Sequence, residues 1–265
     1  MSTIVVTGGA TGIGYAIAAR LASDGHHVVL ASRSQEKLDR SAAKITTAGG
    51  SCSTHALDVR DPEAVSALFD DLPEVDGLVN NAAGNFTCPT VDLSFNGFRA
   101  VVEISLYGTF LASQALARRL IREGRPGTML NIVATYAWTG APQVAHSAAA
   151  KAGMAAFTKS VAREWGPHGI RVNALAPGFV ATEAAVQGIL ADQEAQDHML
   201  DLIPLGRFAQ PDDIADVAAF LMDDQSRYIT GAVFAADGGR SLGVSMHRGA
   251  ARTQASGSTE HGRTS

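Results

Sequence analysis

The stretch Thr3-Ile4-Val5-Val6-Thr7-Gly8-Gly9-Ala10-Thr11-Gly12-Ile13-Gly14 decides how the rest of the chain is read. Residues 3–6 form a short β-branched run, which suits a strand buried on both faces. A glycine-rich loop follows directly, and a helical pattern over 14–24 opens at its end. Glycines there let the backbone turn sharply and bring a pyrophosphate against the N–H groups of a helix N-terminus. The strand-loop-helix context marks Gly8, Thr11, Gly12, Ile13 and Gly14 as dinucleotide-binding candidates rather than residues of a plain turn.

Working outward, further apolar runs at 27–31, 52–57, 77–80, 129–134, 171–176 and 233–236 complete a set of seven predicted strands. They are rich in Val, Ile, Leu and Ala with little polar alternation, as parallel strands covered on both faces are. Helical patterns at 14–24, 35–48, 62–70, 95–122, 147–165 and 211–222, with an irregular stretch over 182–202, fill the intervals. Such alternation predicts right-handed crossovers and an α/β fold. We expect one doubly wound Rossmann-type domain over 1–240, with a seven-stranded parallel sheet flanked by helices. Residues 241–265 are rich in Gly, Ser, Thr, Arg and His, and are expected to form a flexible tail.

Composition narrows the functional classes. A chain of 265 residues can bury a substantial core. The net charge of -5 and pI of about 5.9 exclude a globally basic nucleic-acid footprint. Cys52 and Cys88 are too few for a disulfide framework and too far apart for a zinc cluster, so no metal site is expected. Mean hydropathy is +0.08, yet no run of some 18 apolar residues stands out, so no membrane partner is expected. No basic leader precedes the first strand, and Arg263-Thr264-Ser265 is not a peroxisomal address; a cytoplasmic setting is expected.

The second strand ends in Ser32-Arg33, where NAD-selective sites place an acidic residue on the ribose hydroxyls. Small Ser32 leaves room, and the planar fork of Arg33 suits a 2′-phosphate, so the expected cofactor is NADPH. The bland alternative is that Arg33 caps a surface loop.

The spacing Thr7-Gly8-x3-Gly12-x-Gly14 resembles the short-chain dehydrogenase/reductase family, and the resemblance runs over about residues 3–240. It implies that Asp58 binds the adenine amino group beside Val59. Small Asn81-Ala82-Ala83 would pass under the cofactor, with Asn80 bridging strands. In Ala176-Pro177-Gly178-Phe179-Val180-Ala181-Thr182, it implies that Pro177, Gly178, Val180 and Thr182 hold the nicotinamide carboxamide and phosphate. The stretch to Leu202 would be a mobile substrate lid. The same resemblance implies a homotetramer packed through the long helices.

The family's hallmark is Tyr-x-x-x-Lys on the helix after the fifth strand, and here the tyrosine is gone: the stretch is Ser147-Ala148-Ala149-Ala150-Lys151. Residues i and i+4 share a helix face, so Ser147 and Lys151 look into one cleft. A serine hydroxyl is far too weak an acid to replace a phenol. Another phenol stands upstream, in Val133-Ala134-Thr135-Tyr136-Ala137-Trp138, at the carboxyl end of a strand where ligands bind in open sheets. Tyr136 with Ser147-x-x-x-Lys151 and Asn81-Ala82-Ala83-Gly84-Asn85-Phe86 resembles the NADPH-dependent 2,4-dienoyl-CoA reductases of that family.

This closer resemblance implies an acyl-CoA thioester substrate in unsaturated fatty-acid breakdown. Tyr136 would be the principal donor to the thioester oxygen, Ser147 a second polar contact, and Lys151 the holder of the nicotinamide ribose. Asn85 and Phe86 would border the substrate. A nearby ammonium and cationic nicotinamide are expected to make Tyr136 a better acid. One position departs from the pattern: the amide those reductases carry before Gly108-Thr109 is Tyr107 here, and the ordinary family asparagine is Ser105. Tyr107 either supplies a replacement hydroxyl or packs between helices. The rival readings are a reductase of another enone or ketone, and a non-catalytic NADP(H)-binding scaffold.

Overall fold

The computed structural model describes residues 1–183, 185 and 193–243. Its seven strands are β1 (Thr3–Thr7), β2 (His27–Ser32), β3 (Ser51–Ala56), β4 (Gly77–Asn80), β5 (Gly127–Ile132), β6 (Ile170–Pro177) and β7 (Val233–Ala236). They form one parallel sheet in the order β3-β2-β1-β4-β5-β6-β7. The order reverses between β1 and β4, so the loops leaving their carboxyl ends part to opposite faces and open a crevice.

Alternation along β1 shows why both faces must be covered. Ile4 and Val6 point into a core shared with Ile17 and Leu21 of α1 (Gly12–Ser23), Leu38 of α2 (Gln35–Thr47) and Ile214 of a helix at Pro211–Met222. Val5 points the other way, into a core with Val65 and Phe69 of α3 (Pro62–Asp71) and Leu116 and Leu120 of a helix at Gly108–Glu123. Local chemistry starts several of these helices. The Ser34 hydroxyl accepts from Lys37 N–H to cap α2, and Asp61 accepts from the N–H groups of Glu63 and Ala64 ahead of Pro62. The two sheet edges, β3 and β7, are only partly buried, unlike the fully buried strands their composition predicts.

The helix expected over 95–122 is two helices, α4 (Phe95–Val102) and α5 (Gly108–Glu123), joined by a π-helical turn at Glu103–Tyr107. Gly108 stands at the join: a Cβ there would come 2.7 Å from Val59 Cγ2, so the backbone presses directly on the loop after β3. The whole run Phe95–Glu123 is long and apolar enough to cross a membrane by length and composition alone, which the sequence reading did not anticipate. In the fold its buried positions, among them Ser105, Thr109 and Ser113, pack inside the domain. The remaining described helices are α6 (Tyr136–Thr139), α7 (Ala145–Trp165), α8 (Gln193–Asp201) and α9 (Pro211–Met222). Of the expected tail, Ser241 is tied by its N–H to the Asp237 carboxylate at 2.7 Å, and positions from 244 onward lie outside the described residues. So do 184 and 186–192 of the expected lid.

A buried polar ladder crosses the sheet beneath the crevice. Asn80 Nδ2 donates to Ser113 Oγ at 2.9 Å and to Asn131 Oδ1 at 2.8 Å. Asn131 Nδ2 donates to Thr158 Oγ1 at 2.8 Å, whose hydroxyl donates to Met154 O at 2.8 Å. The chain of bonds fixes α5, β4, β5 and α7 relative to one another, with Asn80 bridging strands as its position implies. Asn131→Ala should therefore destabilise the fold by about 2–3 kcal/mol in urea denaturation, since it strips partners from two buried groups; a loss under about 0.5 kcal/mol would show the ladder to be passive.

Candidate active site

The glycine loop is built for close approach. Gly8 and Gly12 have φ of 65° and 55°, which a side chain would strain. A Cβ on Gly14 would lie 2.3 Å from Gly8 O and 2.4 Å from Asn81 Nδ2, so the first turn of α1 packs onto the loop and the β4 end. Thr11 forms no side-chain cap on α1, leaving the first-turn N–H groups facing the crevice, as a pyrophosphate requires. Thr182 belongs to the same place: a Cβ on Gly12 would meet Thr182 Cγ2 at 3.4 Å. Val180 bridges in parallel to Ala209, and Gly178 presses on Asp237, where a Cβ would lie 2.7 Å from its Cα. The residues present thus fit a dinucleotide laid across the β1–β4 parting.

At the adenine end, Ser32 is half-buried and Arg33 exposed, with no hydrogen-bonded partner for Arg33 among the described residues. Asp58, the expected partner of the adenine amino group, already has a partner within the chain. Arg60 grips it, Nε to Oδ1 at 3.0 Å and Nη2 to Oδ2 at 2.6 Å, and the Arg60 N–H adds a bond to Oδ1 at 3.0 Å. That grip, helped by the charge of Arg33, holds the Asp58 carboxyl below the usual carboxylate range. Arg60 was missed, although its i+2 spacing from Asp58 was visible in Asp58-Val59-Arg60. Val59 itself is buried against Gly108.

The chemical centre forms where β5 ends. Tyr136 opens the single turn α6, and its Oη lies 3.0 Å from Ser147 Oγ on α7. Lys151, one turn further along α7, donates from Nζ to Ile132 O at 2.6 Å. The structure therefore sets the Tyr136 and Ser147 hydroxyls together, with Lys151 one turn along α7 and held to the end of β5. Burial governs their ionisation. It pushes the Tyr136 phenol up, with the Ser147 bond easing it back, and it pulls Lys151 down to about 8. The expectation of an acidified phenol is thus corrected for the chain by itself: desolvation outweighs any help from the lysine.

Tyr107 does not join this cluster. It is 54% exposed and lines a separate groove of about 870 Å³ with Phe110, Phe157, Asp58 and Arg60. The π turn instead buries Ser105, whose Oγ has no partner among the described residues. Asn81 lies under the crevice, its Nδ2 bonded to Thr7 O and Gly8 O at 3.2 Å each, with Ala82 and exposed Ala83 beyond it. Asn85 is exposed, and Phe86 is half-exposed with its ring 4.5 Å from that of His146. His146 is wholly buried, a fact no sequence signal carried because its cover comes from a different loop.

Comparison with known proteins agrees with this geometry. The family model described as enoyl-(acyl carrier protein) reductase matches residues 8–241. A Bacillus subtilis (strain 168) protein named as a probable 2,4-dienoyl-CoA reductase, (2E)-enoyl-CoA-producing, is 41% identical over 90% of this chain and 96% of its own length. A Danio rerio protein named peroxisomal 2,4-dienoyl-CoA reductase, (3E)-enoyl-CoA-producing, is 39% identical over 88% of this chain and 79% of its own. Among solved structures, a short chain dehydrogenase from Bacillus anthracis superposes with a TM-score of 0.82 at 40% identity, covering 90% of this chain and 96% of that one. A gluconate 5-dehydrogenase from Burkholderia cenocepacia, in complex with NADP and tartrate, gives a TM-score of 0.87 at 30% identity, covering 92% and 96%. Fold, glycine loop and lysine helix together place this chain in the short-chain dehydrogenase/reductase family, as an oxidoreductase.

Proposed function

We propose that the chain reduces 2,4-dienoyl-CoA thioesters with NADPH, in the breakdown of unsaturated fatty acids, as a cytoplasmic homotetramer. The observation that carries the reading is the Tyr136 phenol set 3.0 Å from Ser147, one helical turn from Lys151. Relatives bearing the dienoyl-CoA reductase name, and a solved relative holding NADP, support it.

The chemistry favours a conjugated thioester over a simple ketone. A ketone ends as an alcohol, so its donor must give a proton outright to oxygen. A dienoyl thioester places the transient charge on oxygen but takes its proton on carbon, from water, so oxygen needs a donor that holds its own proton. A phenol kept neutral by burial is such a donor. NADPH supplies the hydride when bound. Tyr136 donates to the thioester oxygen, Ser147 orients that phenol and offers a second hydroxyl, and Lys151 fixes the ribose while its carbonyl bond anchors it to β5. Ser32 and Arg33 receive the 2′-phosphate, and Arg60 presents Asp58 to the adenine.

Three measurements test this. Tyr136→Phe should lower kcat on 2,4-hexadienoyl-CoA by about 100-fold or more while NADPH affinity stays within about twofold; an unimpaired rate would move the donor role elsewhere. Arg33→Ala should weaken NADPH at least about tenfold more than NADH, and equal losses would refute the 2′-phosphate assignment. Because the Lys151 ammonium is lost as pH rises through about 8, kcat/KM should fall along an alkaline limb with a midpoint near that value. Lys151→Arg, whose charge does not titrate there, should lack the limb whatever rate remains.

A further inference from the structure

α2 buries Leu38, Ser41 and Ile45, whose spacing sets them on one face of the helix. Leu38 and Ile45 join the core around Ile4 and Val6, while Ser41 between them carries a hydroxyl into it at 6% exposure. That hydroxyl donates to the carbonyl of Ala10, at the crest of the glycine loop, at 2.8 Å. The loop on either side is held closely. A Cβ on Gly9 would lie 2.8 Å from Val6 O and 3.1 Å from Leu30 Cδ2, and Gly12 turns at a φ of 55°.

Peptide geometry gives this bond a consequence. In a planar trans peptide the C=O of Ala10 and the N–H of Thr11 point in opposite directions. α2 packs on β2 and β3, which stand on the other side of β1 from β4 in the sheet. A carbonyl drawn toward α2 therefore turns the Thr11 N–H away from α2, toward the crevice between β1 and β4. The opposite flip would aim carbonyl lone pairs at the crevice and repel a phosphate there.

We propose that Ser41 is a positioning residue for the cofactor pyrophosphate: by holding the Ala10 carbonyl, it aims the Thr11 N–H at the phosphates without touching them. The proposal rests on the dinucleotide reading of the glycine loop. It gives α2 two tasks at the adenosine end of the cofactor. The helix starts just after Arg33, where the Ser34 hydroxyl accepts the Lys37 N–H at 3.4 Å, and its second turn braces the loop through Ser41. Arg33 distinguishes NADPH from NADH. Ser41 serves both alike, because both carry the pyrophosphate.

The test compares binding of NADP, NAD and adenosine 2′-monophosphate to the full chain. The last has the 2′-phosphate and no pyrophosphate. Ser41→Ala should weaken NADP and NAD by a common factor of about five or more, and leave adenosine 2′-monophosphate within about twofold. In the wild type, the amide signal of Thr11 in a 1H–15N spectrum should move with NADP and stay with adenosine 2′-monophosphate. This second readout stands even if Ser41→Ala does not fold. An unchanged NADP affinity in Ser41→Ala, or a Thr11 signal unmoved by NADP, would overturn the proposal. So would an equal loss of NADP and adenosine 2′-monophosphate, which marks a general loosening of α2, or a loss of NADP that NAD does not share. The two readings fail separately. A wild type that binds neither dinucleotide removes the cofactor reading and Ser41 with it; a wild type that binds NADP, matched by Ser41→Ala, keeps the reading and removes Ser41 alone.

Discussion

The hydroxyl of Thr7 ties together the two strands whose parting makes the site. It accepts the backbone N–H groups of Asn81 and Ala82 at 3.1 Å each and donates to Val79 O at 3.3 Å, so the end of β1 and the end of β4 are stitched where the sheet order reverses. The Asn81 amide returns the bond to Thr7 O and Gly8 O. Gly14 can then lie so near this knot that a single methyl would break it. Because the knot satisfies the backbone groups that a crevice would otherwise strand, the loops on either side are free to carry function.

The phenol has changed its support. In Ser147-x-x-x-Lys151 the helix carries a serine where the family pattern has its tyrosine and keeps the lysine, while the phenol of Tyr136 stands on the turn α6 at the neighbouring strand end. A 3.0 Å contact across eleven residues of chain holds the two together. Gln143, with its positive φ, and the Cys88–Gln143 bond lie between these elements, so the loop that delivers α7 is tied to the loop that carries Phe86. The site is therefore assembled from three segments whose mutual placement no single stretch of sequence encodes.

That division explains what the sequence did and did not disclose. Period and glycine placement are local properties, so the strands, the loop at Gly8–Gly14 and the shared face of Ser147 and Lys151 were legible. Tyr136 was legible because its distance from Ser147 repeats a known pattern. Burial is a property of the assembled fold. Hence the exposure of Tyr107, the lack of side-chain partners for Ser105 and His146 among the described residues, and the direction in which the Tyr136 phenol shifts could not be read from composition. The π turn escaped notice for the same reason: the close approach of Gly108 to Val59 beside it is a property of the packed domain. Arg60 was visible beside Asp58, yet whether a neighbouring charge folds back or points to water is settled by the turn between them.

The same dryness that sets the phenol also sets a stability term. Lys151 is buried with a carbonyl for its partner and no carboxylate, so its charged form is the disfavoured one in the fold. Its folded value of about 8 lies below the ordinary value of 10.5. Below about 8 the ammonium is carried at full penalty, on the order of 3 kcal/mol from the size of the shift. Between about 8 and 10.5 the unfolded chain holds the proton more tightly than the folded one, so stability rises with pH across that window. On the proposed role of Lys151 in holding the cofactor, activity and stability run in opposite directions over one interval. A residue serving packing alone would have been apolar at this position; the buried lysine is instead carried at a cost to the fold.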